Sequence, residues 1–431
     1  MNAPGQQAIS VDVDHNHYIA EGSGTVDAIV SVAVPDGVTM AGGTDRVEAI
    51  IIDCSTSMRS PATKFDEAKR ATAAAIGELV DGTYFTIIAG TERATYVYPA
   101  DGWPVPASAA TRAEALRAVD ALRPKGGTAM GTWLAHVRGV VAAHPGAIIH
   151  AILLTDGKNE HETPEALGEQ IGLAEGEFTC DCRGVGTDWQ VDELRAISSA
   201  LLGTVDIVAD PEDLAEDFAA MMRTSMSKSI AGLTLRLWTP AGARVAFVKQ
   251  VAPAVEDLTA RRVEAGAQVG EYPLGSWGAE ERDYHIQVQV EPADVGREKL
   301  AARVSVVAGE EILGQGLVKA VWTADTSLSA VISRRVAHYT GQAELAQAVQ
   351  EGLSARKDGD VKTATARLQR AMDLAVESGN TGTAKLLRGV VEVDERTGTV
   401  ALRREVAAAD EMALDARSTK TARVRKDAGE S

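Results

Sequence analysis

Only three cysteines, Cys54, Cys180 and Cys182, occur in the 431 residues. An odd number cannot pair fully within one chain, so a disulfide framework is excluded and a reducing compartment, the cytoplasm, is expected. Long apolar runs are also missing: no window approaches eighteen uninterrupted apolar residues, and the opening MNAPGQQAISVDVD has neither a basic n-region nor an apolar centre. A soluble, unexported protein with no membrane partner is the expectation. Positive charge is short as well. Lys and Arg number 43 against 61 Asp and Glu, giving a net charge of −18 and a pI near 5.0. Nucleic-acid affinity comes mostly from lysine and arginine displacing counterions, so nucleic acid is not an expected partner.

Catalytic signatures are missing too. GxxxxGK[ST] and GxSxG do not occur, and His15, His17, His144, His150 and His161 fall in no HExxH or Ser-His-Asp spacing. Asp12-Val13-Asp14 has the spacing of an aspartyl-phosphate pair but sits in an alternating polar strand, without the threonine or valine that chemistry needs two residues later. Cys180-Asp181-Cys182 places both thiols on one face of a strand, yet no second cysteine pair or His-x-x-x-His completes a tetrahedral zinc site. Buried structural cysteines are the reading there. No enzyme is expected.

What is present divides the chain, since 431 residues with 45% hydrophobic content exceed a single core. Residues 9–34 alternate with period two, as two strands with one wet face. From residue 46 continuous apolar runs alternate with helical patterns, the grammar of a parallel sheet covered on both faces. The predicted helices include about 64–79, one through Leu122 capped by Thr111 with Glu114, one carrying Met130, Leu134, Val137 and Val141, and two opened by Thr163-Pro164 and Asp210-Pro211. Alternation returns over residues 233–322, in LTLRLW, RVAFVKQV, YHIQVQV, KLAARVSVV and GLVKAVW, and reads as an antiparallel sandwich. Past residue 325 the segments are alanine-rich and helical, with one tetratricopeptide-like phrase but no second copy at a 34-residue period. The last stretch carries Arg417, Lys420, Arg423, Arg425 and Lys426 around Ser418, Thr419 and Thr421 and reads as a disordered basic tail.

The chemistry is concentrated where the strand RVEAIIID ends in CSTSM. Asp53, Ser55 and Ser57, two residues apart at a strand's C-terminal end, can aim into one hollow, the place where open α/β sheets bind ligands. A second apolar strand, AIIHAILLTDG, ends in Asp156, and between them lies the glycine-flanked hydroxyl of Thr128 in KGGTAMG. Carboxylates and hydroxyls without histidine or thiol suit a hard cation, and octahedral oxygen ligation at about 2.0–2.1 Å suits magnesium. The bland alternative is that an aspartate or serine after a strand merely caps a helix. Caps, however, do not require a matching threonine loop.

In this order and context Asp53, Ser55, Ser57, Thr128 and Asp156 resemble the metal-ion-dependent adhesion site of von Willebrand factor A domains, over residues 46–226. The resemblance implies a Rossmann-like sheet and Mg²⁺, sometimes Mn²⁺. Ser55, Ser57 and Thr128 would contact the ion most directly, with Asp53 and Asp156 often acting through water. A protein partner's Asp or Glu would complete the coordination. The flanks more loosely resemble bacterial A-domain proteins with β segments before and after the domain.

The expected fold class is therefore α/β: a Rossmann-like A domain inserted in or flanked by an all-β sandwich, plus a C-terminal α-helical segment. The expected boundaries are 1–45 for N-terminal strands, 46–226 for the A domain, 227–325 for the sandwich, 326–415 for a helical hairpin or small bundle, and 416–431 for the tail. The expected function is a non-catalytic adaptor or scaffold binding a partner's acid through Mg²⁺. The alternative is a signalling or stress-response component regulated by phosphorylation of Ser418, Thr419 or Thr421.

Overall fold

The computed structural model describes residues 9–38, 45–394 and 396–424. Among these residues the strands form sheets of five, six and seven strands and one two-stranded hairpin. The chain clusters into two units, residues 39–231 with 275–278, and the remainder.

The first of these is built on the seven-stranded sheet. Its central order runs Val205–Val208, Thr179–Val185, Ile148–Thr155, Arg46–Asp53, Tyr84–Gly90, all parallel. Thr95–Tyr98 adds an antiparallel edge and Val105–Pro106 also pairs with Tyr84–Gly90. The runs are apolar at successive positions because both faces are covered: Ile50, Ile51, Ile52, Ile152, Leu153 and Leu154 are all fully buried. From Arg46–Asp53 the chain crosses first to Tyr84–Gly90 on one side and later to Ile148–Thr155 on the other. That reversal opens a crevice at the C-terminal ends of Arg46–Asp53 and Ile148–Thr155. This Rossmann-like core, the additional sheets and the C-terminal helices are the fold class read from the sequence.

Two helix starts differ instructively. Thr163 caps Pro164–Ala174 as its sequence signature requires, its hydroxyl accepting from Ala166 N–H. The helix Ala109–Asp120, by contrast, is opened by Ser108, not by Thr111. Ser108 and Thr111 exchange side-chain and backbone hydrogen bonds as a reciprocal box. Thr111 is thus the third helical residue, because the extended Ser108 already supplies the acceptor for its N–H.

In the other unit Ser10–His15, Thr25–Ala33, Glu281–Gln289, Arg244–Ala252 and Glu256–Asp257 form the antiparallel five-stranded sheet. The six-stranded sheet runs Val263–Gly266, Val269–Trp277, Ile230–Trp238, Glu298–Ala308, Glu311–Thr323, Tyr18–Ala20. Gly314 and Gly316 let Ser10–His15 approach Glu311–Thr323 closely. A Cβ on Gly314 would lie 2.7 Å from Ile9 O, and one on Gly316 would lie 2.4 Å from Val13 Cγ2.

Arg334–Lys357, Val361–Glu377, Thr381–Val390 and Ala408–Arg417 pack around Leu345, Val349, Leu368, Leu387 and Leu414. A hairpin, Val391–Val393 with Val400–Leu402, interrupts these helices. It is too short for its period to stand out in the sequence.

The expectation of a disordered tail from residue 416 does not hold for residues 416–424. Ser418 is buried and donates its hydroxyl to Asp415 O, at 2.8 Å. Val255 N–H donates to Thr419 O and Thr421 N–H to Pro253 O, so this stretch runs beside the chain after Arg244–Ala252. Arg423 bonds Glu281 at 2.8 Å and approaches Asp283 at 3.6 Å. The basic residues are held because acids of the sheet face them. Arg425 and Lys426 lie outside the described residues.

Candidate metal centre

Asp53 ends its strand with no solvent exposure. Its Oδ1 accepts Ser55 N–H at 2.7 Å and its Oδ2 accepts the Thr155 hydroxyl at 2.6 Å. Burial raises its pKa to about 6, the charge of Asp156 adding to the rise while the Ser55 and Thr155 hydrogen bonds oppose it. The carboxylate is thus held rigidly from both sides.

Ser55 occupies the N-cap position of the short 3₁₀ turn Thr56–Arg59, but its side chain makes no capping bond. Its Oγ meets Ser57 Oγ at 2.8 Å instead, and Ser57 donates to Asp156 Oδ1 at 2.7 Å. The capping explanation of these hydroxyls therefore fails on geometry. Cys54 points the other way, into the apolar core under the helix Ala62–Glu78, and burial pushes its thiol up to about 12.

The Thr128 loop is stitched to the same place. Lys125 N–H donates to Cys54 O at 2.6 Å, and both the N–H and the hydroxyl of Thr56 donate to Gly126 O. Gly126 has φ +77, and a Cβ on it would lie 2.0 Å from Glu92 Oε2, while one on Gly127 would strike the His161 ring at 2.1 Å. The positive φ favours glycine at Gly126, and at Gly127 a side chain would push the His161 ring from its place. Glu92 then accepts Gly127 N–H at 2.6 Å and His161 Nδ1 accepts Thr128 N–H at 3.2 Å. Behind the loop, Asn159 and Glu162 accept the free N–H groups of Met130 and Gly131 at the start of Met130–Ala143. Trp133, fully buried, seats that helix against Gly90, where any Cβ would lie 2.5 Å from the ring.

Gly157 locates the meeting point. A Cβ there would sit 3.2 Å from Ser57 Oγ, 3.4 Å from Thr128 Oγ1 and 4.0 Å from Asp53 Oδ2. Side chains from the end of Arg46–Asp53 and its following turn and from the Thr128 loop thus meet the backbone of Gly157 around one small hollow. It opens into a pocket of about 360 Å³ lined by Ser55, Ser57, Thr128, Gly157, His161 and Asp188 among others. All five residues singled out in the sequence are brought together here. The set is hard oxygen only, and it fits a small divalent cation.

Sequence reasoning missed the residues that hold the five in place. Thr155 stood beside Asp156 in the quoted strand and could have been found by its neighbour. Lys64, whose ammonium lies 2.6 Å from Asp156 Oδ2, gave no signal beyond a charge in the first turn of a helix. His161 fits no HExxH or Ser-His-Asp spacing, and its partner in the structure is a backbone N–H, that of Thr128.

At the opposite end of the strands the buried Glu48 and His150 and the half-buried Asp181 form a relay. His150 Nδ1 lies 2.7 Å from Glu48 and Nε2 lies 2.9 Å from Asp181. Burial alone would lower the histidine's pKa, but the Glu48 charge, the hydrogen bonds to both acids and the Asp181 charge raise it to about 9. Cys180 and Cys182, with sulfurs 3.9 Å apart, are both free and buried. Among the described residues no three His, Cys, Asp or Glu side chains gather as metal ligands.

Comparison with known proteins places the fold. Residues 49–207 match the von Willebrand factor type A domain profile and residues 373–418 match the von Willebrand factor type A C-terminal domain profile. The solved structure of a von Willebrand factor type A protein from Catenulispora acidiphila is 50% identical, with a TM-score of 0.93, covering 98% of this chain and 99% of that one. The ArnB paralog VWA2 from Sulfolobus acidocaldarius, at 13% identity and a TM-score of 0.60 over 96% of this chain and 98% of its own, shares the fold alone. An uncharacterized protein from Synechocystis is 28% identical over 160 residues, 36% of this chain, and the match spans only 38% of that relative's length. No helix among the described residues is long and apolar enough to cross a membrane. With half of its residues shared along nearly its whole length with the Catenulispora protein, the chain belongs to the von Willebrand factor type A family.

Proposed function

We propose that this chain is a non-catalytic adaptor that binds an acidic residue of a protein partner through Mg²⁺, or Mn²⁺, held by Asp53, Ser55, Ser57, Thr128 and Asp156. The supporting observation is the hollow beside Gly157, where the Ser57 and Thr128 hydroxyls face one point with Asp53 Oδ2 farther off behind them. Both floor carboxylates already have their two oxygens engaged, Asp53 by Ser55 and Thr155, and Asp156 by Ser57 and Lys64. Neutral hydroxyls are therefore left to face the hollow, and the acids act from behind them. A cation so held supplies concentrated positive charge toward the open pocket, which an external carboxylate can satisfy.

A hydrolase would need a general base beside the reacting water, and no residue is assigned that role by its spacing. The three free, buried cysteines support a cytoplasmic setting.

The test is capture of partners from the native cell extract by immobilised wild type and by Asp53→Ala, each in Mg²⁺ and in EDTA. Capture should require both Mg²⁺ and Asp53. Equal recovery in EDTA contradicts the proposal.

A further inference from the structure

Lys64 is the third residue of the helix Ala62–Glu78, its N–H bonded to Pro61 O. A cation in a first turn works against the helix dipole, and lysine is almost never buried unless paired. Yet the Lys64 side chain is 6% exposed and that of Asp156 is fully buried. The ammonium reaches Asp156 Oδ2 at 2.6 Å, with the more exposed Asp188 at 3.9 Å. Lys69, five residues on, shows the ordinary arrangement: its ammonium rests on Asp120 O at the surface. Lys64 is placed against local preference, and the compensation is its contact with Asp156.

That contact extends into the site. Asp156 Oδ1 accepts from Ser57, and Ser57 meets Ser55, so an unbroken line of hydrogen bonds runs from the ammonium to the hydroxyls facing the hollow. We propose that Lys64 is an internal counter-ion of the metal centre: it keeps Asp156 and the two serines in position without a divalent ion, and its charge lowers the affinity for one.

The inference rests on the divalent-cation reading of the same five residues. Two consequences follow from one charge. Removing it leaves the buried Asp156 with the Ser57 hydroxyl but no counter-charge, which destabilises the metal-free protein. It also removes a like-charge repulsion against any cation in the hollow, so that cation binds more tightly, by about tenfold or more for a unit charge at this range in a partly solvated site.

The experiment compares full-length wild type with Lys64→Met, Lys64→Gln and Lys64→Arg by thermal unfolding in EDTA, MgCl₂ and MnCl₂ and by calorimetric titration with each salt. The Met and Gln variants should melt below wild type in EDTA, gain more from either metal than wild type does, and bind Mn²⁺ about tenfold tighter or more. The Arg variant should behave as wild type. If Lys64→Met does not fold, Lys64→Gln, which can still hydrogen-bond Asp156, decides. Wild type that takes up metal alongside a Gln variant of equal or weaker affinity and equal thermal gain overturns the counter-ion role and leaves the metal centre standing. Wild type that takes up neither ion overturns the cation reading, and this inference with it.

Discussion

Ser57 donates its hydroxyl to Asp156 Oδ1 at 2.7 Å across 99 residues of sequence. The bond ties the loop after Arg46–Asp53 to the end of Ile148–Thr155, the two strands flanking the crevice. Hydroxyl and acid thus act as a unit, and replacing either should disturb the other.

Thr155 offers the cleanest test of the supporting layer. Its hydroxyl donates to Asp53 Oδ2 at 2.6 Å inside the core. Thr155→Val keeps the shape and removes the donor. Outer partners of metal ligands typically matter by about 10–100-fold in affinity. Calorimetric titration should show Mn²⁺ binding weakened within that range, with the unfolding transition still cooperative. Unchanged affinity would show that Asp53 needs no such support.

Gly157→Ala should damage the centre without damaging the fold. The new methyl would press on Ser57 Oγ, touch Thr128 Oγ1 and fill the hollow between them. Gly157 is not at positive φ, so no backbone strain accompanies the change. Metal affinity should fall while the melting temperature in EDTA stays close to wild type. A fall in stability with metal affinity intact would contradict the assignment.

The Glu48–His150–Asp181 relay sets a pH window. His150 is raised to about 9 in the folded chain, against an ordinary value near 6.5. A group whose pKa is raised by folding stabilises fully below its unfolded value and loses that contribution as pH rises through the folded one. The stabilisation, on the order of 3 kcal/mol, should be intact at pH 6 and decline up to about pH 9. Urea midpoints measured across that range for wild type and His150→Gln should converge as pH rises. Parallel curves would remove the relay from the account.

Asp283 carries a second concentration of charge. It accepts from Tyr339 Oη at 2.6 Å, Arg335 at 3.0 Å and Ser31, joining Glu281–Gln289 to Arg334–Lys357. Asp283→Ala leaves the buried Tyr339 hydroxyl without its acceptor and the half-buried Arg335 with only Asp12 and Ser31, and should cost about 1–3 kcal/mol in chemical denaturation. Deleting residues 418–431 should cost less, since Arg423 lies at the edge of the same cluster. A deletion as damaging as Asp283→Ala would make the docked C-terminal stretch the stronger element.

The fold was legible wherever neighbours in sequence decide the structure. RVEAIIID announced a strand covered on both faces, and Thr163-Pro164 announced a helix start, because both signals are local. The five oxygen residues were legible for a related reason: three stand within five positions, and the others end a strand or open a helix. What stayed hidden depends on partners far along the chain. Glu48 interrupts an apolar run with no visible cause until His150 and Asp181 arrive from neighbouring strands. Lys64 looks like any surface lysine until Asp156 is brought beside it. The basic C-terminal stretch read as solvated because Glu281 and Asp283, which hold Arg423, lie more than a hundred residues earlier.

The central claim is that one divalent ion sits among Ser55, Ser57 and Thr128, backed by Asp53 and Asp156. Crystals grown with MnCl₂ and measured at the manganese absorption edge test it directly. The account predicts an anomalous peak within bonding distance of the Ser55, Ser57 and Thr128 hydroxyls beside Gly157. Well-ordered side chains there with no peak, or manganese bound elsewhere, would contradict it.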